Sequence, residues 1–322
     1  MMKNTHGPII AIEEHYWDNE LLKHYQTTEA SRGGPIEQRL LDFADLRLKE
    51  MDDAGIDIQV LSHGAPSTQN LPLEIAAKVA AETNDRLAKV VAANPKRFAA
   101  FGALPTVDPK AAADELERVV TKHGFKGAML HGTSNGEFLD YEKYWPIYAR
   151  AEKLDVPIYF HPASPNKQVN EAYYQDYVKD FPLVARPAWG YTVETATQAI
   201  RLILSGVFDK HPNLKVILGH FGETLPFLLW RIDSALNRPG GKQVDFRAIF
   251  CKNFYVTTSG FFSNPALLCT MMEMGTEHIL FAVDWPFVLD NKPAVDWLAG
   301  APISGEDKAK IFSGNAKRLL RM

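Results

Sequence analysis

Cysteine is nearly absent from this 322-residue chain: there are two, Cys251 and Cys269, and they form no CxxC motif. Two thiols cannot build a disulfide framework in a chain this long, so both read as small apolar residues in a reducing compartment. Excess positive charge is also missing. The formal net charge is −4, which gives no general attraction to nucleic acid or anionic membrane. No run approaches the ~18 apolar residues that span a bilayer. The opening MMKNTHGPIIAIEEH carries acids within its short apolar run and reads as neither a signal peptide nor a span. A cytoplasmic protein is the expectation. There is no GxGxxG turn after the first apolar run, so a dinucleotide-binding fold loses its main support. Solenoid-type repeats are absent as well.

What is present is alternation. Apolar, β-branched or aromatic runs at 8–15, 56–63, 97–104, 125–132, 156–161, 214–220, 253–260 and 278–284 predict eight strands. Amphipathic segments at 38–54, 72–94, 108–123, 140–153, 191–206, 222–237, 264–274 and 306–320 predict the intervening helices. Asp108-Pro109 is a helix start, and Gly55 a helix stop. Near-continuous apolar strands between helices indicate a parallel sheet covered on both faces. Eight such units predict an α/β chain folded as one (β/α)8 TIM barrel over 1–322. A long insertion at about 162–190 follows strand five. Rich in aromatics and broken by prolines, it is either a lid or pocket wall, or a packed surface excursion.

Barrel chemistry sits at the C-terminal ends of the strands. Five of the ten histidines (His15, His63, His131, His161 and His220) fall at such ends, a clustering not expected of scattered structural histidines. Asp284 closes strand eight. Glu13 and His15 are two apart, so they share a face, while Glu14 points away. With His161 and Asp284 they form a carboxylate–imidazole set suited to one divalent ion, Zn2+ or Mn2+. The plainer alternatives are a solvated Glu13 and a hydrogen-bonded core His161. His220 and Glu223, three apart in ILGHFGE, are expected to pair, with Glu223 in the first turn of the next helix. The pair is an acid/base device, or Glu223 caps that helix, or both. Arg231, among large apolar residues in LPFLLWRID, is expected to have an anionic partner: a substrate carboxylate or a structural ion pair.

The segments IEEH, VPIYFHP, VILGHFGETLPFLLWRID, TTSG and ILFAVDWPF together resemble the metal-dependent, non-oxidative decarboxylases of the amidohydrolase superfamily. The likeness is to the branch of γ-resorcylate (2,6-dihydroxybenzoate) and 5-carboxyvanillate decarboxylases, and runs from about residue 9 to 320. It implies a metal-dependent hydrolase-type barrel with Glu13, His15, His161 and Asp284 on the metal. It also implies a decarboxylase of a hydroxylated aromatic acid, in which Asp284 doubles as the acid that protonates the ipso carbon. His220 and Glu223 would stand beside the substrate, with Arg231 and Phe287 as substrate contacts. A homodimer or homotetramer is implied too. His63 and His131, the loop after strand four and the region 16–37 depart from the branch. All are candidates for lining the substrate pocket, and both histidines are counted as substrate contacts. The rival reading is a mononuclear metal-dependent hydrolase of a lactone or amide. The chain lacks the strand-four lysine that bridges two metals in binuclear relatives: the matching segment, KGAMLHG, ends in His131. A purely binding role predicts lost ligands, and none of the four is missing.

Overall fold

In a computed structural model the chain is described over residues 7–26, 34–288 and 290–322. Part of the divergent region 16–37, residues 27–33, therefore lies outside the described residues. Among the described residues nine short parallel strands form the wall: β1 Ile10–Tyr16, β2 Ile58–His63, β3 Phe98–Ala100, β4 Gly102–Ala103, β5 Ala128–His131, β6 Ile158–His161, β7 Val216–Leu218, β8 Phe254–Thr257 and β9 Ile279–Leu280. They run in sequence order, β1-β2-β3 and β4 to β9. The predicted third strand is split. Phe101 N–H still donates to Leu61 of β2, whereas Gly102 N–H donates to Gly127 on the far side, so the ladder changes partner between them.

The eighth predicted strand keeps regular pairing only over β9. Its continuation nonetheless closes the ring. Ile12 N–H donates to Phe281 O, Asp284 N–H to Glu13 O, and Glu14 bridges Trp285. Glu14 is turned from the centre, as alternation requires, and accepts from Val283 N–H at 3.0 Å. Helices Leu73–Ala93, Pro109–His123, Gly190–Leu204, Leu225–Leu236 and Asn264–Met274 lie close to their predicted spans. Asp108 caps its helix, accepting from Lys110 and Ala111 N–H.

Alternation along the strands divides the core in two. Ile10, Ile12, Val60, Phe101, Met129, Tyr159, Ile217 and Leu280 pack together within the ring, joined by Leu319 and Leu320 of the last helix. Their neighbours Ala11, Leu61, Phe160, Leu218 and Phe254 pack against the helices. Each fully buried Ile, Leu or Phe contributes about 1.5–3 kcal/mol, so the ring is a packed core and not a pore. The metal candidates crown it at the strands' C-terminal ends. Both cysteines are free and half-buried. No helix among the described residues is long and apolar enough to cross a membrane.

Candidate metal centre and its cavity

β1, β6 and the segment after β9 deliver Glu13, His15, His161 and Asp284 to one point. One donor atom from each lies within 4.8 Å of all the others. Glu13 Oε1, His15 Nε2 and Asp284 Oδ1 are buried without a well-formed hydrogen bond and face only the set itself, His15 Nε2 to Asp284 Oδ1 at 3.3 Å and Glu13 Oε1 to His161 Nε2 at 3.4 Å. Buried polar atoms are rarely left so, and a divalent cation satisfies all three at once. The other atoms of the same side chains are held by neighbours. Glu13 Oε2 accepts from the Tyr159 hydroxyl and, at 3.0 Å, from Thr257 Oγ1. His161 Nδ1 donates to Pro162 O at 2.7 Å, which leaves Nε2 free. His15 Nδ1 faces Ser62 Oγ at 3.2 Å. Such outer contacts fix tautomer and ring orientation in metal sites. The residues therefore fit a single divalent ion.

Tyr159 and Thr257 were not anticipated. Tyr159 stands two before His161 on one strand, so the same alternation that selects His161 would have found it. Thr257 lies in TTSG, which was singled out only for its resemblance.

His220 and Glu223 do pair, Nδ1 to Oε1 at 2.8 Å. Glu223 is not in the first turn of the following helix, however. Residues His220, Phe221, Gly222, Glu223 and Thr224 all have positive φ, between 50° and 72°. The next helix begins at Leu225, and its cap position, Thr224, makes no side-chain capping bond. Glu223 instead spends its second oxygen on Thr192 Oγ1, which donates at 2.8 Å. A left-handed turn costs about 1–2 kcal/mol per non-glycine residue. It swings the His220 ring over the metal site, with Nε2 3.8 Å from Asp284 Oδ2. Gly260, at φ +58, closes the other side, where a Cβ would lie 3.4 Å from Asp284 Oδ2.

Electrostatics separates these groups. Burial opposes ionisation of Glu13 and raises its pKa, against the pull of His220. Burial also opposes charge on Asp284, but His15 and His220 outweigh it and hold the carboxyl well below the usual range. Burial would strip His220 of its proton, yet the Glu223 carboxylate and Asp284 push its pKa well up. His161 goes the other way, lowered by burial and by His15, as a neutral ligand should be. The Glu223 carboxylate and Asp284 thus favour the protonated form of His220, against its burial.

A cavity of about 510 Å3 opens above the centre, within the range for small-molecule sites. His161, His220, Glu223, Asp284 and Phe287 line it, and Phe287 also packs on His15 at 5.5 Å. The 162–190 insertion supplies a wall through Pro162, Leu183, Arg186, Pro187, Ala188 and Trp189.

Three predicted substrate contacts are not in that wall. Arg231 is exposed and has no ion pair among the described residues. Its helix buries Leu225 and Leu229, and Arg231 is two residues, some 200°, round from Leu229. His63 is buried with both nitrogens used: Nδ1 donates to Gly64 O at 2.9 Å, and Nε2 accepts from Asp18 N–H at 3.2 Å. It packs edge-on to Tyr16 and Trp17. His131 is in register with His161 on the neighbouring strand, Nδ1 to Nδ1 at 3.2 Å, and is buried outside the cavity lining.

Fold and site together define a (β/α)8-barrel with a candidate metal site at its mouth. The chain belongs to the amidohydrolase family, whose profile matches residues 10–322. It is 39% identical over 329 residues to the γ-resorcylate decarboxylase of Rhodococcus jostii, covering 97% of this chain and 98% of that protein. It is similar to the dihydroxybenzoic acid decarboxylase of Polaromonas sp. JS666, solved with manganese and the inhibitor 2-nitroresorcinol. There the TM-score is 0.89 at 39% identity, covering 98% and 97% of the two chains. The 5-carboxyvanillate decarboxylase of Sphingomonas paucimobilis superposes with a TM-score of 0.90 at 34% identity, covering 98% and 99%.

Proposed function

We propose that this chain is a metal-dependent, non-oxidative decarboxylase acting on a hydroxylated aromatic carboxylic acid. It is a carboxy-lyase of the amidohydrolase superfamily, as its relatives are. The observation that carries the mechanism is the His220–Glu223 pair set beside Asp284, in a cavity walled by Trp189, Tyr191, Phe261 and Phe287.

An aryl carbanion is too unstable to be formed by direct loss of CO2, so the ring carbon is protonated first. Glu13, His15, His161 and Asp284 would hold a divalent ion, Mn2+ or Zn2+, which would supply Lewis-acid stabilisation of negative charge on the substrate. His220, held by Glu223, passes a proton to Asp284, which delivers it to the ipso carbon. The carbon–carbon electron pair then returns to the ring as CO2 leaves: one carboxylate and one proton become one arene and one CO2. Aromatic side chains position the ring, and Phe287 packs on the ligand His15.

The substrate is a small aromatic carboxylate, with no role for nucleic acid or membrane. The protein works in the cytoplasm as one barrel domain, in a homodimer or homotetramer. Phe227 and Trp230 on helix Leu225–Leu236, and Met272 on the helix packed beside it, expose apolar surface of the kind that assembly covers.

Turnover in D2O tests the chemistry. The product should carry one deuterium at the carbon that lost CO2. Asp284→Asn should lose nearly all activity, and an Asn variant that kept its metal and turned over normally would remove Asp284 from the acid's role.

A further inference from the structure

The ring closes at a seam that no regular ladder spans among the described residues. β1 meets the segment after β9 through isolated contacts. Asp284 N–H donates to Glu13 O at 3.1 Å, His15 N–H donates to Trp285 O at 2.7 Å, and a lone bridge joins Glu14 to Trp285. β1 also shifts register between Ala11 and Glu14, and Asp284 has a φ of +71°. Three of the four metal candidates, Glu13, His15 and Asp284, stand on this seam.

A buried charge lies against it. Arg47, on helix Asp45–Ala54, is the only lysine or arginine buried among the described residues. Its guanidinium makes three hydrogen bonds, none to a carboxylate: Nε to Asp42 O at 3.0 Å, Nη1 to Gln59 Oε1 at 3.1 Å, and Nη2 to His15 O at 2.6 Å. Its Cζ lies 4.0 Å from the centre of the Trp285 ring. Glu50, three residues on in the same helix, accepts from the Trp285 indole N–H at 2.8 Å and is itself held by Arg39 at 2.7 Å. One helix therefore grips Trp285 by its face and its edge, and His15 by its carbonyl.

Burying a charge is costly, and an apolar side chain of similar volume would commonly serve stability as well. Stability alone does not explain an arginine at this position. What a guanidinium offers is a flat cation that stacks on an aromatic face while its edge donates in fixed directions. Here the face takes Trp285, next to Asp284, and the edge takes His15. The residues so joined carry His15 Nε2 and Asp284 Oδ1, which stand 3.3 Å apart. With no ladder across the seam, side chains must hold that separation.

We infer that Arg47 is a positioning residue for the metal centre: lodged between the His15 carbonyl and the Trp285 ring, it sets the placement of His15 against Asp284. The inference rests on the metal-centre reading and not on the identity of the substrate.

The test compares the native protein with Arg47→Met and Arg47→Lys. Each is stripped with a chelator and checked for a cooperative urea transition. Mn2+ affinity is then measured by chelator competition, and the visible spectrum of the Co2+-loaded protein reports the ligand geometry. Arg47→Met should stay folded when stripped, bind Mn2+ roughly 10-fold or more weakly, and shift the Co2+ bands. Arg47→Lys, which keeps the charge but loses the flat fork, should show the same changes to a smaller degree, and it is the variant read if Arg47→Met does not fold. Variants that are less stable yet bind Mn2+ and colour Co2+ as the native protein does would reduce Arg47 to a structural role and overturn the inference alone. A native protein that binds neither ion would overturn the metal-centre reading and the inference with it.

Discussion

His220 Nδ1 and Glu223 Oε1 lie 2.8 Å apart across a turn that is left-handed at five consecutive residues. Four of those residues are not glycine, so the contact is made against the backbone's preference. Thr192 then locks the second Glu223 oxygen at 2.8 Å. This arrangement raises the His220 pKa beside Asp284, against a burial that would lower it.

Glu223→Gln keeps the shape and removes the charge. Because Glu223 is outside the metal set, metal content should stay at one ion per chain while kcat falls roughly 10–100-fold, the range for outer partners of a metal site. Elemental analysis alongside steady-state kinetics checks this. Loss of metal in step with activity would instead make Glu223 a structural support of the ligands.

Tyr159→Phe removes one donor from Glu13 Oε2 and leaves Thr257 as the remaining side-chain donor to that oxygen. Its expected effect is on metal affinity, weakened roughly 10–100-fold, with little change in kcat at saturating metal. Competition with a fluorescent chelator measures it, and unchanged affinity would show that the hydroxyl does not orient the ligand.

His63 predicts an acid sensitivity. Burial pushes its pKa down to about 4, so the fold holds it neutral. Below the ordinary value of about 6.5 the unfolded chain binds a proton that the folded chain does not. The stability conferred by neutral His63 is therefore full above about 6.5 and is lost as pH falls towards 4. The loss amounts to about 3 kcal/mol at most. Urea unfolding at pH 5 and pH 7.5 should show it, and His63→Gln should flatten the difference. An identical pH slope in the variant would place the sensitivity elsewhere.

The histidines also show how far the sequence carries. All five mark strand ends, but only position relative to the alternating face separates ligand from packing. In β2 it is Ser62 that faces His15, and His63 is turned into Trp17. The ligand set was legible because Glu13 and His15 share a face and His161 and Asp284 end apolar runs. The turn at 220–224 was not, since HFGET contains one glycine and otherwise looks like a helix start. Arg231 misled because its apolar neighbours Phe227 and Trp230 are themselves exposed.

The central claim is that the quartet Glu13, His15, His161 and Asp284 holds one ion that decarboxylation requires. Stripping the protein with a chelator and titrating back Mn2+, while following CO2 release from a panel of hydroxybenzoic acids, tests it most directly. The account predicts no CO2 from the stripped protein and activity that rises linearly to a plateau at one ion per chain. CO2 release that is indifferent to metal, or no CO2 from any acid by a fully loaded protein that opens a lactone, would contradict it.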